Sequence, residues 1–185
     1  NPLTQNPSPI TVEDYEGRTV TLEASAERVV SLVPSALRII TQIDGSETIV
    51  GIDRKSIQAE PTILPILAHP EYLDLPNVGD RKEPNIEILM SLNPDVVCTT
   101  QSADNADTLQ EQLGVPVICV LSLPEADYEL FRLVGKVIGK SPEAESVISF
   151  LQEQTLRITS VTEEISSVDR PTVYLGLWTS EKSIT

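Results

Sequence analysis

Along most of the chain, short apolar runs typical of β-strands alternate with segments in which apolar residues have helical spacing. Between residues 29 and 121, short β-branched runs typical of strands alternate with segments whose apolar residues recur every three or four positions, as on one face of a helix. The predicted strands are Val29 to Val33, Thr48 to Ile52, Asp95 to Cys98 and Val115 to Leu121. The predicted helices are Ser35 to Ile43, a short one opened by Asn85 as N-cap, and about Ala103 to Leu113, stopped by Gly114. This alternation predicts an α/β fold with an open, mostly parallel sheet flanked by helices.

Three other segments precede or interrupt this pattern. Thr11 to Tyr15 and Arg18 to Leu22 alternate in character around Glu16-Gly17, which predicts a β-hairpin. Residues 54 to 76 contain four prolines, so an irregular excursion with one helical turn is expected there instead of a long helix. The first nine residues are polar and rich in proline, as is typical of a solvated tether.

Two helices and a further strand are predicted in the C-terminal third. Residues 125 to 140 have helical spacing, and a second helix begins at Ser141 with Pro142 at its first position. Its apolar stripe spans about 26 residues, or roughly 39 Å at 1.5 Å per residue. A helix of that length is typical of a spine between two lobes. Thr172 to Gly176 then predict a new strand.

Composition restricts the class of protein. The chain has 185 residues, 40% of them hydrophobic, which suits a folded globular domain. The net charge of −15 leaves no basic stripe for a phosphate backbone, so a nucleic-acid partner is not expected. No apolar run approaches the ~20 residues that a membrane span needs, and the chain does not begin with a signal peptide.

Motifs for catalysis are weak. Residues 135 to 141 are one position short of a phosphate-binding Gly-x4-Gly-Lys-Ser loop, and they follow a helical pattern, so a helix end and cap is favoured. The only histidine, His69, lies in the irregular excursion, and there is no Gly-x-Ser-x-Gly nucleophile elbow. One histidine cannot build a zinc cage, so any metal is expected to arrive already chelated. An enzyme is not expected.

The two cysteines, Cys98 and Cys119, each lie in a strand-like apolar run. Free cysteine packs as a small hydrophobe, which favours two buried thiols. A disulfide is the alternative, and it requires neighbouring strands with converging Cβ atoms.

The segment from Asn77 to Val97 is the most informative part of the chain. It contains a Gly turn in Val78-Gly79-Asp80, a short helix, and Asn93-Pro94-Asp95 leading into an apolar strand. Together with Val33-Pro34-Ser35 and Val50-Gly51-Ile52-Asp53 upstream, it resembles the metal-chelate family of ABC-transporter substrate-binding proteins. That family captures ferric siderophores, haem or cobalamin outside the membrane.

The resemblance implies a two-lobed architecture. Members of the family have two α/β lobes joined by one rigid helix, with the ligand held between the lobes. The expected organisation is a tether at 1–9, a Rossmann-like N-terminal lobe at 10–140, a long linker helix at 141–169 and the start of a second lobe at 170–185. With the second lobe largely absent, the chain is expected to be a fragment that self-associates through its C-terminal third.

The resemblance also implies residues that contact ligand and partner. The ligand-binding set is Pro34, Ser35, Ala36, Asp53, Arg54, Asp80, Arg81, Thr99, Thr100, Gln101 and Trp178. Arg54 and Arg81 are expected to hold anionic groups, because an arginine fork binds two oxygens, and a surface ion pair is the alternative for each. Glu87 matches a rim glutamate that meets basic residues of the permease, with favourable placement on the helix dipole as the alternative.

The implied function is extracytoplasmic capture of a metal chelate, such as a ferric siderophore, haem or corrinoid, and its delivery to an ABC permease. The location is the periplasm or cell surface, with a lipid anchor left open, and no resident cofactor is implied. Two features depart from the family: Leu37-Arg38 replaces the usual acid after Pro-Ser, and residues 54 to 76 lack a ligand motif. The alternative is a stand-alone α/β sensor or interaction domain that lost transport.

Overall fold

The computed structural model describes residues 8–58, 64–120, 128–166 and 168–174. Its strands, in chain order, are β1 (Ile10–Glu13), β2 (Thr19–Leu22), β3 (Val29–Ser31), β4 (Ile49–Ile52), β5 (Gly79–Asp80), β6 (Glu83–Pro84), β7 (Val96–Thr99) and β8 (Val117–Cys119). Its helices are α1 (Pro34–Gln42), α2 (Arg54–Gln58), α3 (Leu64–Ala68), α4 (Ile86–Ser91), α5 (Ala103–Leu113), α6 (Tyr128–Val137) and α7 (Ser141–Thr162). Short 3₁₀ turns lie at Ser46–Thr48 and Pro70–Asp74.

A four-stranded sheet in the order β4-β3-β7-β8 forms the centre of the fold. Strand β3 pairs in parallel with β4 and β7, and β7 pairs in parallel with β8. The predicted α/β architecture with a parallel sheet is therefore confirmed. The chain moves from β3 to β4 in one direction and then returns past β3 to β7 and β8. This reversal puts a topological switch point between β3 and β7.

Helices cover both faces of the sheet. On one face, Val30, Val97 and Val117 pack with Leu89 of α4 and Leu109 of α5 in a fully buried cluster. Connections between parallel strands are right-handed. The connection β3-α1-β4 and the connection β7-α5-β8 cross the sheet in opposite directions. Helices α1 and α5 therefore lie on opposite faces of the sheet. Helix α1 packs against α6. The β-branched strand residues thus lie between two helical layers, as a parallel sheet requires.

The predicted hairpin forms from β1 and β2, which pair antiparallel, and its turn closes the β8 edge of the sheet. The buried carboxylate of Asp14 accepts hydrogen bonds from the Cys119 backbone N–H (3.0 Å) and from Nη1 of Arg18 (2.9 Å). The Tyr15 backbone N–H donates to the Cys119 carbonyl (3.0 Å), and Nη1 of Arg18 donates to the Val117 carbonyl (2.9 Å). These bonds satisfy backbone groups that an open sheet edge would expose.

The loop between α6 and α7 confirms the helix-end interpretation of residues 135 to 141. Gly135 lies inside α6, where an added Cβ would come 2.7 Å from the Cβ of Ala144, so only glycine allows this close approach. Gly139 then adopts the left-handed region with φ of +72° and ends the helical path. No strand enters this turn, so it lacks the local structure of a phosphate-binding loop.

Two predictions for the C-terminal third differ from the structure. Helix α7 has 22 residues and ends at Thr162, short of the predicted 169. Negative charges of Glu163 and Glu164 are unfavourable at a helix C-terminus, which carries partial negative charge. Residues 171–174 are not in a strand, and the rest of the predicted strand lies outside the described residues. A lone strand has no stability without a partner.

The chain divides into two compact units, residues 1–149 and 150–185. The first unit holds the sheet and its helices. The second holds the remainder of α7, where four large apolar side chains are more than half exposed, namely Phe150, Leu156, Ile158 and Val161. In the described part of the chain, no helix combines the length and the apolar character needed to cross a membrane.

Candidate functional site

The candidate site lies at the carboxyl ends of the parallel strands. Ser31, the last residue of β3, pairs with Ile52 of β4 and with Cys98 of β7, so the three strands end side by side. The loops that follow them carry most of the predicted ligand residues. They include the switch point, the place where open α/β sheets bind ligands.

The β5–β6 hairpin lies against this edge through polar contacts. Gln101, two residues after β7, donates from Nε2 to the backbone carbonyl of Arg81. Nη1 of Arg81 donates to the hydroxyl of Thr100. Nη2 of Arg54 forms an ion pair with the carboxylate of Asp80. The structure therefore brings together five of the predicted residues, because the hairpin contacts both the start of α2 and the residues that follow β7.

Three of these five residues, Arg54, Asp80 and Arg81, line a surface depression with a volume of about 400 Å³. Its lining carries four cations and two acids: Arg54, Lys55, Arg81 and Lys82, with Asp80 and Glu83. The hydrogen bond and charge of Arg54 hold the pKa of the Asp80 carboxyl below its usual value, so Asp80 is ionised at neutral pH. The depression is thus positively charged in a chain whose net charge is −15.

Asp53 has a structural role next to this depression. One carboxylate oxygen accepts hydrogen bonds from the backbone N–H groups of Lys55 (3.0 Å) and Ser56 (3.1 Å), and the other accepts from the Ser56 hydroxyl (2.5 Å). This is the geometry of a helix N-cap, and it orients α2. Only 1% of Asp53 is exposed. The predicted contact with a ligand is therefore not available to this carboxylate in the structure.

The predicted residues after β3 and at the end of β7 are mostly inside the protein. Ala36 and Thr99 have no exposed surface, and Ser35 is 9% exposed. The hydroxyls of Ser35 and Thr99 are buried without a hydrogen-bond partner among the described residues. Pro34, at the first turn of α1, is half-buried. Of this group, Pro34 alone keeps substantial exposed surface.

Glu87 lies apart from the depression, in the first turn of α4, and it is exposed. The side chain of Asn85 caps the same helix by accepting from the Ile88 backbone N–H (3.0 Å), which confirms the predicted N-cap. Met90, one turn further along, is 55% exposed. Trp178 lies outside the described residues.

His69 belongs to a network away from the strand ends. Its ring nitrogens contact the Ser46 hydroxyl (3.1 Å) and the Glu71 carboxylate (2.9 Å), and the ring stacks on Tyr72. These contacts tie the excursion to the end of α1, since Tyr72 also bonds to Thr41. Within the described ranges, no group of three or more His, Cys, Asp or Glu side chains is arranged to hold a metal ion.

Two lining residues, Lys55 and Lys82, were missed by the sequence reasoning, although each directly follows a predicted arginine. The signal that could have identified them is charge. In so acidic a chain, two pairs of adjacent basic residues, one after a predicted strand and one after the Gly turn, are unusual.

A model of the periplasmic binding protein family matches residues 29–184. The chain belongs to the periplasmic binding protein family. The match covers the sheet, the strand-end loops and α7. A comparison with curated protein sequences gives no significant match.

Solved periplasmic binding proteins share the fold. The molybdate-binding protein MolA of Haemophilus influenzae has a TM-score of 0.74 at 20% identity, with 87% of this chain and 56% of that chain covered. SirA of Staphylococcus aureus, solved with staphyloferrin B, has a TM-score of 0.59 at 23% identity, with 76% and 46% covered. A heme-binding protein of Pseudomonas aeruginosa has a TM-score of 0.56 at 23% identity, with 73% and 46% covered. The chain spans about half the length of these periplasmic binding proteins.

Proposed function

We propose that this chain is the ligand-capturing part of an extracytoplasmic binding protein that delivers a metal chelate to an ABC permease. The observation that carries the proposal is the positively charged depression beside the switch point, in a chain of the periplasmic binding protein family. Solved proteins of similar fold include one in complex with staphyloferrin B, one that binds heme and one bound to molybdate. All three ligands have negatively charged oxygens.

The chemistry of the depression supports a chelate as ligand and disfavours a bare metal ion. Lys and Arg side chains have N–H donors and no acceptor, so they cannot coordinate a cation. Arg54 and Arg81 can each bind two oxygens of a carboxylate or catecholate group. Thr100 and Gln101 add neutral hydrogen-bonding groups at the same edge. In this proposal the metal reaches the protein already enclosed by its organic ligand.

Delivery to a permease requires an exposed contact that does not take part in ligand capture. Glu87 meets this condition, because it is exposed and separate from the residues that line the depression. A charged residue at the rim of an interface changes association with a basic partner more than it changes folding. We assign Glu87 to permease docking on this ground.

Isothermal titration of the full-length protein tests the function. The probes are haem, a corrinoid, a ferric catecholate, a ferric hydroxamate and free ferric ion. We expect at least one chelate to bind with a Kd near or below about 1 μM, equivalent to about −8 kcal/mol, while free ferric ion does not bind specifically. Absence of binding by every chelate overturns the proposal.

A further inference from the structure

Positive charge is concentrated at one place in the described structure. The chain has 13 Lys and Arg against 28 Asp and Glu, yet the depression has four cations and two acids. Lys55, Arg81 and Lys82 have no carboxylate within ion-pair distance among the described residues. Most other cations of the lobe are engaged: Arg18 with Asp14, Arg132 with Glu145, Lys140 with Glu47, and Arg28 and Lys136 with backbone carbonyls. Arg38 on α1 is the exception among the described residues, and it does not line the depression.

We infer that the site selects ligands with several negative charges, and that Asp80 acts as an internal competitor for Arg54. The inference rests on the proposed function and specifies its ligand class. Unpaired cations in one depression repel each other, and a multiply charged anion relieves that repulsion. A neutral chelate gains nothing from these cations.

The geometry of Arg81 fits this role. One guanidinium nitrogen, Nη1, donates to the Thr100 hydroxyl, and this contact orients the planar group at the end of β7. Nε and Nη2 have no recorded partner among the described residues, so they are available to a ligand. Two parallel N–H groups match two oxygens of a carboxylate or catecholate. Arg81 is thus oriented by a neutral hydroxyl, and no carboxylate among the described residues neutralises its positive charge.

Arg54 is in the opposite situation. Its guanidinium is already paired with Asp80, and the two side chains are 51% and 25% exposed, so the pair lies at the surface of the depression. A ligand anion must share or replace the Asp80 carboxylate to reach Arg54. Asp80 also adds a negative charge that repels an incoming anion. Removal of that charge is therefore expected to strengthen binding of anions, whereas removal of Arg81 weakens it.

The test compares three probes on the full-length protein by isothermal titration at two salt concentrations. A ferric tris(catecholate) is trianionic, a ferric tris(hydroxamate) is neutral, and molybdate is an oxyanion without a chelator. We expect the tris(catecholate) to bind more tightly than the tris(hydroxamate) by about tenfold or more, equivalent to 1.4 kcal/mol. The difference should shrink at high salt, because salt screens exposed charges.

Three variants and a control separate the roles. Arg81→Gln and Lys82→Gln should each weaken the tris(catecholate) severalfold and the tris(hydroxamate) by a smaller factor, while Asp80→Asn should strengthen the tris(catecholate). Arg157→Gln removes one positive charge from exposed helix α7 and should change neither affinity. Circular dichroism checks that each variant is folded.

The outcomes distinguish this inference from the proposed function. Equal or tighter binding of the tris(hydroxamate), or weaker tris(catecholate) binding by Asp80→Asn, overturns the selectivity and leaves chelate capture in place. Failure of both chelates, and of haem and the corrinoid as well, overturns the proposed function. Tight binding of molybdate together with failure of all four chelates supports selection of anions and contradicts capture of a chelate.

Discussion

Cys98 and Cys119 lie on neighbouring parallel strands, but their side chains leave the sheet on opposite faces. The register pairs Cys98 with Ile118 and Thr99 with Cys119, and paired residues share a face while successive residues alternate. Both cysteines are buried, free thiols. The disulfide that the sequence left open is excluded by this geometry, since the Cβ atoms do not converge.

The burial of the Cys98 thiol is expected to make the free energy of unfolding depend on pH. Burial raises the pKa of Cys98 to about 12. The unfolded thiol loses its proton near pH 8.5, so above that pH the unfolded state gains stability and the free energy of unfolding falls, by about 1.4 kcal/mol per pH unit for one thiol. Urea denaturation at pH 8 and pH 10 should show this loss. The loss should be smaller in Cys98→Ala, and an identical pH dependence contradicts the prediction.

The thiols should also resist modification in the native state. We expect a thiol-specific reagent at neutral pH to label neither cysteine until urea unfolds the protein, because both are buried. Mass spectrometry of the labelled protein is the measurement. Rapid labelling of Cys98 without denaturant, or an intramolecular disulfide after mild oxidation, would count against the placement of the two side chains.

The hairpin turn is expected to contribute strongly to stability. The Asp14 carboxylate has no exposed side-chain surface and accepts from three backbone N–H groups and from Arg18. Asp14→Ala leaves three backbone donors without their acceptor and removes the buried one of the two carboxylates that pair with Arg18, which should cost about 3–5 kcal/mol. Glu13→Ala, one residue earlier and exposed, is the control and should change stability by less than about 0.5 kcal/mol. Equal losses in the two variants would refute this assignment.

Local signals account for what the sequence predicted well. Helix α5 has the predicted bounds, because Gly114 supplies the left-handed residue with φ of 68° that ends it. The Asn85 cap depends on contacts within three residues and was also predicted. The βαβ alternation predicted the sheet class because hydrophobic period decides strand against helix.

Contacts between distant segments account for what the sequence did not reveal. Arg54 and Asp80 are 26 positions apart, and their pairing depends on where the hairpin packs. The resemblance placed Asp53 among the ligand residues, and the capping of α2 by its carboxylate depends on how the chain turns after β4. The end of α7 was misplaced because an apolar stripe continues in sequence whether or not the backbone stays helical.

Charge reversal at Glu87 tests the docking role. Glu87→Lys should leave chelate affinity unchanged, because the residue lies outside the depression, and it should reduce uptake by cells that express the permease. The matched control is Glu111→Lys, an exposed reversal on α5 that should leave both properties unchanged. Normal uptake by Glu87→Lys removes the docking assignment.

We propose that the loops after β4 and β7, together with the β5–β6 hairpin, form the ligand-binding wall. Amide chemical shifts test it most directly, measured on the full-length protein with the gallium(III) form of the chelate that binds most tightly, since gallium(III) is diamagnetic. We expect the largest shift changes at residues 54–56, 79–82 and 99–101. Changes concentrated in the separate depression between β1 and α6, lined by Val12, Tyr15, Leu130 and Leu133, with those three loops unaffected, would contradict it.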